Sequence, residues 1–444
     1  MRVTACLSSC YPVKKMRLAF AALLIGQTVF AQTRIAVMTD IHVMGKELVA
    51  HDGAAWQTAL AGERKMLDKG RDIFDRLVGK FKTQRPDMLL VTGDLTKDGE
   101  LQSHRYVKAG LDKLKAAGVK VFVIPGNHDL GTADARIYDG DRSERAETLD
   151  EDGFRAMYDG YGYGSGCTAD STSLSYACEP VPGLTLIGID SHSGWLSETT
   201  LDFVCRQAEE AGSKGRRVIA MMHHPLFPHF NGANLYINTA TINNYEYVRN
   251  RLADAGIRVI LTGHFHTSDI AKDWNGDMSR EIYDINTGSA ISYPCDYRLL
   301  ALSRDMTELS VTTGHIDTLP GDAAFARTAR LRLQTSMYGK AFQKMGTRFS
   351  FSEEEKRQLA DIAARAFIVH AEGNEASAKQ AQAVEGIRSD LRRLSGSGNM
   401  LIEMAMTYLK PTIESILTDT SNYGDAERED RTDDLTLRIK ISCP

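Results

Sequence analysis

The sequence predicts an α/β fold with mixed sheets, followed by a mainly helical appendage, and three observations carry that expectation. From residue 34 to about 315, short β-branched runs alternate with amphipathic helical stretches, the order expected of strands and crossover helices. Two late runs, "YRLLALSRD" and "TELSVTTGHI", follow each other with no helix between them, so the sheets are expected to be mixed. Beyond residue 320 the strand pattern gives way to long helical ones.

In chain order, residues 1–31 stand apart. Lys14, Lys15 and Arg17 precede the apolar run "LAFAALLIGQTVFA", which closes at Ala31 before Gln32. This reads as an export signal, with a periplasmic or secreted protein to follow and Met16 as an alternative start. The run is short of the roughly 20 residues a spanning helix needs, so no membrane span is expected after cleavage. The α/β part, residues 32–319, offers the strands "RIAVMTDIH", "PDMLLVTGDL", "VKVFVIPGNHD", "LTLIGIDSH", "RRVIAMMHHP", "IRVILTGHFH" and "EIYDINTGSA", with helices expected over 59–83 and 100–117. Residues 320–444 carry helical patterns over 322–344, 352–371, 375–395 and 399–417. Ser352 and Glu355 stand at capping-box spacing, and "DDLTLRIKI" alternates like a strand returning to the sheet edge.

Composition bounds the function. At 43% hydrophobic, 25% charged and a net charge of −5, the chain is globular and has no field to draw a nucleic acid polymer. Of seven cysteines, Cys6 and Cys10 precede Gln32, leaving Cys167, Cys178, Cys205, Cys295 and Cys443. Cys167 and Cys178 are close enough in sequence to close a disulfide loop, Cys205 suits a buried helix face, and no cysteine spacing indicates a zinc module.

The chemistry lies at the strand ends. Asp40 and His42 end the first run, Asp94 the second, Asn127 and His128 the third, His223 and His224 the fifth, His264 and His266 the sixth. In an open α/β sheet those ends lie along one edge, where ligands bind. A cluster so rich in imidazole and carboxylate is stable when cations neutralise and coordinate it. Oxygen and nitrogen donors without thiolate suit Mn, Fe or Zn, and the donors outnumber the needs of one tetrahedral site, which suits two ions sharing a carboxylate.

The ordered motifs Asp40-Ile41-His42, Gly93-Asp94, Gly126-Asn127-His128-Asp129, His223 and Gly263-His264-Phe265-His266 resemble those of the calcineurin-like metallophosphoesterases. The likeness covers roughly residues 34–315, and "TGDLTKDGELQSH" resembles the branch holding bacterial cyclic-nucleotide and glycerophosphodiester phosphodiesterases. The arginine of protein serine/threonine phosphatases is missing at Lys97-Asp98-Gly99. The resemblance implies a four-layer α/β/β/α sandwich and a dinuclear phosphoester hydrolase acting on a small molecule. In it, Asp40, His42 and His266 hold one metal, Asn127, His223 and His264 the other, and Asp94 bridges. A hydroxide between the metals attacks phosphorus, His128 protonates the leaving group or holds a phosphate oxygen, and Asp129 orients His128. A phosphodiesterase is expected; a phosphomonoesterase or nucleotidase, or a catalytically silent scaffold, are the alternatives.

The remaining histidines are assigned simpler places. His51, His315 and His370 are expected in solvent; His104 and His192 follow motif strands but are expected to be structural rather than part of the site, and His224 is expected behind His223 or against substrate. His229, Tyr293 and Arg298 are expected near a substrate rim, Arg298 with a structural ion pair as its alternative.

Overall fold

The computed structural model describes residues 32–231, 233, 239–348, 350–375, 377–418 and 433–441. The expected export signal, Cys6, Cys10 and Cys443 lie outside the described residues.

Two mixed sheets face each other. The first has the spatial order Thr436–Lys440, Glu308–His315, Asp296–Leu302, Thr33–Met38, Met88–Thr92, Lys120–Ile124, its last three strands parallel. The second runs Asp269–Trp274, Glu281–Asn286, Val259–Thr262, Arg217–Met222, Leu184–Ile189, Tyr176–Val181, Cys167–Ala169, with a parallel centre and antiparallel flanks.

Strand alternation explains the layering, since successive side chains point to opposite faces. Ile219, Met221, Val259 and Leu261 join the core shared with the first sheet, together with Ile73, Phe74, Leu77, Val107 and Leu111 of the helices Gly70–Gln84 and Leu101–Ala116. Val218, Ala220, Met222 and Ile260 turn instead to Leu201, Val204 and Ala208 of the helix Glu198–Ser213. Helices thus cover both outer faces, giving the expected α/β/β/α sandwich.

One helix departs from expectation. Instead of a continuous 59–83 helix there are two, Ala54–Leu60 and Gly70–Gln84. Gly62 takes φ +73, a left-handed conformation that ends helical propagation, and Met66 donates its N–H to the Ile291 carbonyl at 2.8 Å. The break carries Arg64 and Lys65 toward the strand ends. The sequence also hid a small sheet, Val49–His51, Arg136–Asp139 and Arg142–Arg145, whose short and largely exposed strands carry little alternation.

Cys167 and Cys178 are bonded, facing each other across an antiparallel pair, and Cys205 and Cys295 are free and buried. The helices Phe325–Arg348, Glu353–Glu372, Ala381–Ser395 and Met400–Thr418 build a core of their own around Ile362, Ile387, Leu391 and Ala405. Ser352 and Glu355 make both bonds of a capping box. The strand Thr436–Lys440 pairs antiparallel with Glu308–His315 at the edge of the first sheet, as its alternation led one to expect. Among the described residues no helix is long and apolar enough to cross a membrane.

Candidate metal centre

The strand-end residues meet in the interior. Asp40, His42, Asp94 and His266 offer ligand atoms all within 4.8 Å of one another, and all four are buried. Asn127 Oδ1 lies 3.0 Å from both His223 Nε2 and His264 Nδ1, forming a second group. Asp94 Oδ2 stands between them, 3.5 Å from His42 Nε2 and 3.4 Å from His223 Nε2.

Local backbone geometry makes this convergence. Asp40, His42, Asp94, His264 and His266 all have positive φ, which turns each side chain out of strand direction at a cost of order 1–3 kcal/mol per residue. Glycines allow the loops to close. A Cβ on Gly93 would sit 2.6 Å from His223 Nδ1, and one on Gly126 would sit 2.2 Å from Asp94 Oδ1.

Each carboxylate spends one oxygen on the protein and presents the other to the cluster. Asp40 Oδ2 accepts from Thr39 Oγ1 at 2.8 Å and from the His264 N–H at 2.9 Å, while Oδ1 lies 3.1 Å from His266 Nε2. Asp94 Oδ1 accepts the His128 N–H at 2.8 Å, leaving Oδ2 central. His223 Nδ1 donates to the Thr92 carbonyl at 2.9 Å, which fixes Nε2 as the atom facing Asn127.

The donors fit cations. His264 Nε2 is buried without a hydrogen-bond partner among the described residues, and the Nε2 atoms of His42 and His266 face each other at 3.2 Å. Burial, reinforced by the Lys65 charge, holds His42 well below the ordinary imidazole value. Burial with the Arg64 charge brings His266 down to about 4, so both stay in the neutral form that ligates metal. Burial alone would raise Asp94, but His223, His128 and His42 outweigh it and hold the carboxyl well below its usual range.

His128 stands edge-on to His42, ring centroids 4.9 Å apart. Its carboxylate partner is Asp98, not the expected Asp129: Nδ1 donates to Asp98 Oδ1 at 2.7 Å, and Asp98 also pairs with Lys97. Asp129 faces the other way. It accepts from the N–H groups of Leu95, Thr96 and Gly126 and from Thr96 Oγ1, at 2.8 to 3.1 Å, tying the Asp94 loop to the Asn127 turn. Four donors converge on Asp129 because both loops turn their amides inward at that point. The signal for Asp98 was visible as a carboxylate four residues after Asp94, yet nothing local chose between it and Asp129.

Other placements also differ from expectation. His370 is buried, with Nδ1 2.9 Å from Glu375 Oε1, rather than solvated, and His315 is half-buried against Asp296 at 2.5 Å. His229 is no rim residue: it is buried between Asp269 at 3.0 Å and Asp284 at 3.3 Å. Arg298 is fully buried and donates to Thr313 and to the carbonyls of Asp434 and Asn286, a structural anchor. Tyr293 donates to Glu372 at 2.9 Å. His104 is buried, 2.9 Å from the Asp129 carbonyl and 3.0 Å from the Tyr158 hydroxyl, and His192 pairs with Asp190 at 2.7 Å. His51 is exposed as expected, and the ring of His224 lies 4.3 Å from that of His264.

The description "calcineurin-like phosphoesterase" belongs to a family model that matches residues 33–268. Over 192 residues the chain is 27% identical to a "probable glycerophosphodiester phosphodiesterase" of Arcobacter nitrofigilis, covering 41% of this chain and 57% of that one. It is 26% identical over 219 residues to a cAMP/cGMP dual specificity phosphodiesterase of Mycobacterium tuberculosis, covering 48% and 60%. A 3',5'-cyclic-nucleotide phosphodiesterase of Nostoc is 27% identical over 238 residues, covering 52% and 71%. The chain thus spans less than two thirds of the length of the first two relatives. A dimetal phosphatase of Danio rerio aligns with 64% of this chain and 97% of its own at 14% identity, with a TM-score of 0.43.

Proposed function

Because the chain belongs to the calcineurin-like phosphoesterase family, we propose that it hydrolyses phosphodiesters of small molecules at a centre of two first-row metal ions. One observation carries this reading: a single carboxylate oxygen, Asp94 Oδ2, is shared by two donor groups, with His42 Nε2 at 3.5 Å and His223 Nε2 at 3.4 Å. Asp40, His42 and His266 would hold one ion and Asn127, His223 and His264 the other, with Asp94 common to both. Oxygen and imidazole donors favour Mn, Fe or Zn. Ions bound there lower the pKa of water toward neutrality and offset charge on phosphoryl oxygens.

The chain's own residues handle the proton. Burial lowers the His128 imidazole pKa, but the Asp94 charge and the Asp98 hydrogen bond more than reverse this and raise it above the ordinary value. With Nδ1–H committed to Asp98, Nε2 is the atom from which His128 gives its proton to the departing alkoxide. Preference for diesters is supported by relatives named as phosphodiesterases. Export to the periplasm or the outside is part of the same proposal, supported by the leader pattern of residues 1–31 and by the Cys167–Cys178 disulfide, a bond that persists in oxidising compartments.

The test is reconstitution with Mn followed by metal counting and assay on bis(p-nitrophenyl) phosphate. Two ions per chain and turnover are expected, with Asp94→Asn nearly abolishing both. Fewer than one bound ion per chain would overturn the two-metal reading.

A further inference from the structure

The helices that follow the sandwich enclose a cavity of about 330 Å³, within the range of small-molecule pockets, roughly 300–1,000 Å³. Its wall is aliphatic and aromatic: Met345 from the helix Phe325–Arg348, Ala366 and Phe367 from Glu353–Glu372, and Leu409 and Ile413 from Met400–Thr418. Tyr408, also in the lining, is 66% exposed, so the cavity reaches solvent.

Two links join this chamber to the metal centre. Phe230 lines it and packs on Phe265, ring centroids 6.1 Å apart, and Phe265 lies in sequence between the donors His264 and His266. Arg64 lines it too, and its charge acts on both Asp40 and His266. Three cations stand in the lining, Arg64, Lys340 and Lys344; no hydrogen bond or ion pair is made by Arg64 or Lys340 among the described residues, although Glu63 acts on both through its charge.

An apolar chamber with a guanidinium in its wall, one aromatic contact away from the loop that carries His264 and His266, has the pattern of an amphiphile: anionic at one end and hydrocarbon at the other. A closely packed interior leaves few voids larger than a water molecule, because atoms lining a gap forfeit dispersion contacts. Because this cavity reaches solvent, its apolar wall faces water, and burying that wall against a hydrocarbon chain would be favourable. Cyclic nucleotides and glycerol headgroups have no long apolar arm to fill it.

We propose that the preferred substrates are phosphodiesters carrying an alkyl or acyl chain, which lies in this cavity while Arg64 contacts a phosphoryl oxygen. This rests on the phosphoesterase reading and names its substrate class. Arg64 is a binding residue here, and the cavity wall sets specificity.

The experiment uses the full chain and p-nitrophenyl diesters whose second substituent is methyl, butyl or octyl. kcat/KM is expected to rise along the series by up to about fourfold per methylene, mainly through KM. Ala366→Phe and Ala405→Phe, which grow into the cavity from different helices, are expected to bring the octyl-to-methyl ratio toward one. Turnover of the methyl ester with no gain along the series would overturn this inference and leave the phosphoesterase reading standing. Absence of turnover with every member would instead count against that reading. The cavity is then judged by calorimetry with octylphosphonate and methylphosphonate. Tighter octyl binding with a negative heat-capacity change, lost in either variant, supports the proposal. Equal affinity for the two, the result expected if the chamber seats a protein segment, overturns it.

Discussion

Asp98 and Asp129 both stand beside the His128 turn, yet their side chains do different work. Asp98 holds His128 at Nδ1, whereas Asp129 binds four donors and keeps the Asp94 and Asn127 loops in register. Their substitutions should therefore fail differently. Asp98→Asn weakens proton delivery, so hydrolysis of diesters with alkyl leaving groups should fall by about 10²-fold or more, within the usual range for general acid catalysis. Esters releasing p-nitrophenolate, which needs no proton, should lose far less, and a leaving-group series would read the difference. Asp129→Asn should instead lower metal affinity, by about 10- to 100-fold as for other residues that support ligands, as measured by competition with a chelator. Equal losses on both kinds of leaving group in Asp98→Asn would remove Asp98 from proton delivery.

At the scale of elements, the strand ends combine strain with close approach. Gly126 is the clearest case, since a Cβ there meets Asp94 Oδ1 at 2.2 Å. Gly126→Ala should strip metal and turnover together while far-UV circular dichroism stays unchanged, because the sheets are held by cores remote from that turn. The hairpin carrying Cys167 and Cys178 makes a separate contribution. The two residues are 11 apart, and closing so short a loop stabilises by about 3 kcal/mol in the chain-entropy account. Replacing both by serine should lower the urea midpoint accordingly, with a slope that is equal or steeper because the unfolded chain is freed to expand. The strands' places along the chain, their alternation and the capping box were legible because they depend on spacing within a few residues. The break after Leu60 was not, since the apolar spacing continues through it and the contact that holds the break, Met66 to Ile291, spans the fold.

Across the whole molecule, a buried polar network ties the sandwich to the last helices and strand. His229 sits between Asp269 and Asp284, Thr267 Oγ1 lies 3.3 Å from His370 Nε2, and Asp434 accepts the N–H groups of Ile270 and Asn374 at 3.2 Å. Burial, together with the Asp269 charge, pushes the Asp434 carboxyl up to about 7. Its folded pKa exceeds the ordinary 3.8, so its contribution to stability is full below that value and is lost as pH rises through about 7. Relative to the Asp434→Asn variant, the wild type should thus lose thermal stability as pH climbs from about 5 to 8. A constant difference in Tm across that window would show that Asp434 does not titrate between them.

The α/β alternation, the helical region after residue 320 and the donors at the strand ends could all be read along the chain, because periodicity and turn chemistry are written in neighbouring residues. That Asp98 partners His128, that the Arg64 charge acts on His266, and that His229, His370 and Arg298 are interior came from the folded arrangement alone. Those outcomes depend on which distant loop arrives beside a side chain, and burial and hydrogen-bond partners are properties of that meeting.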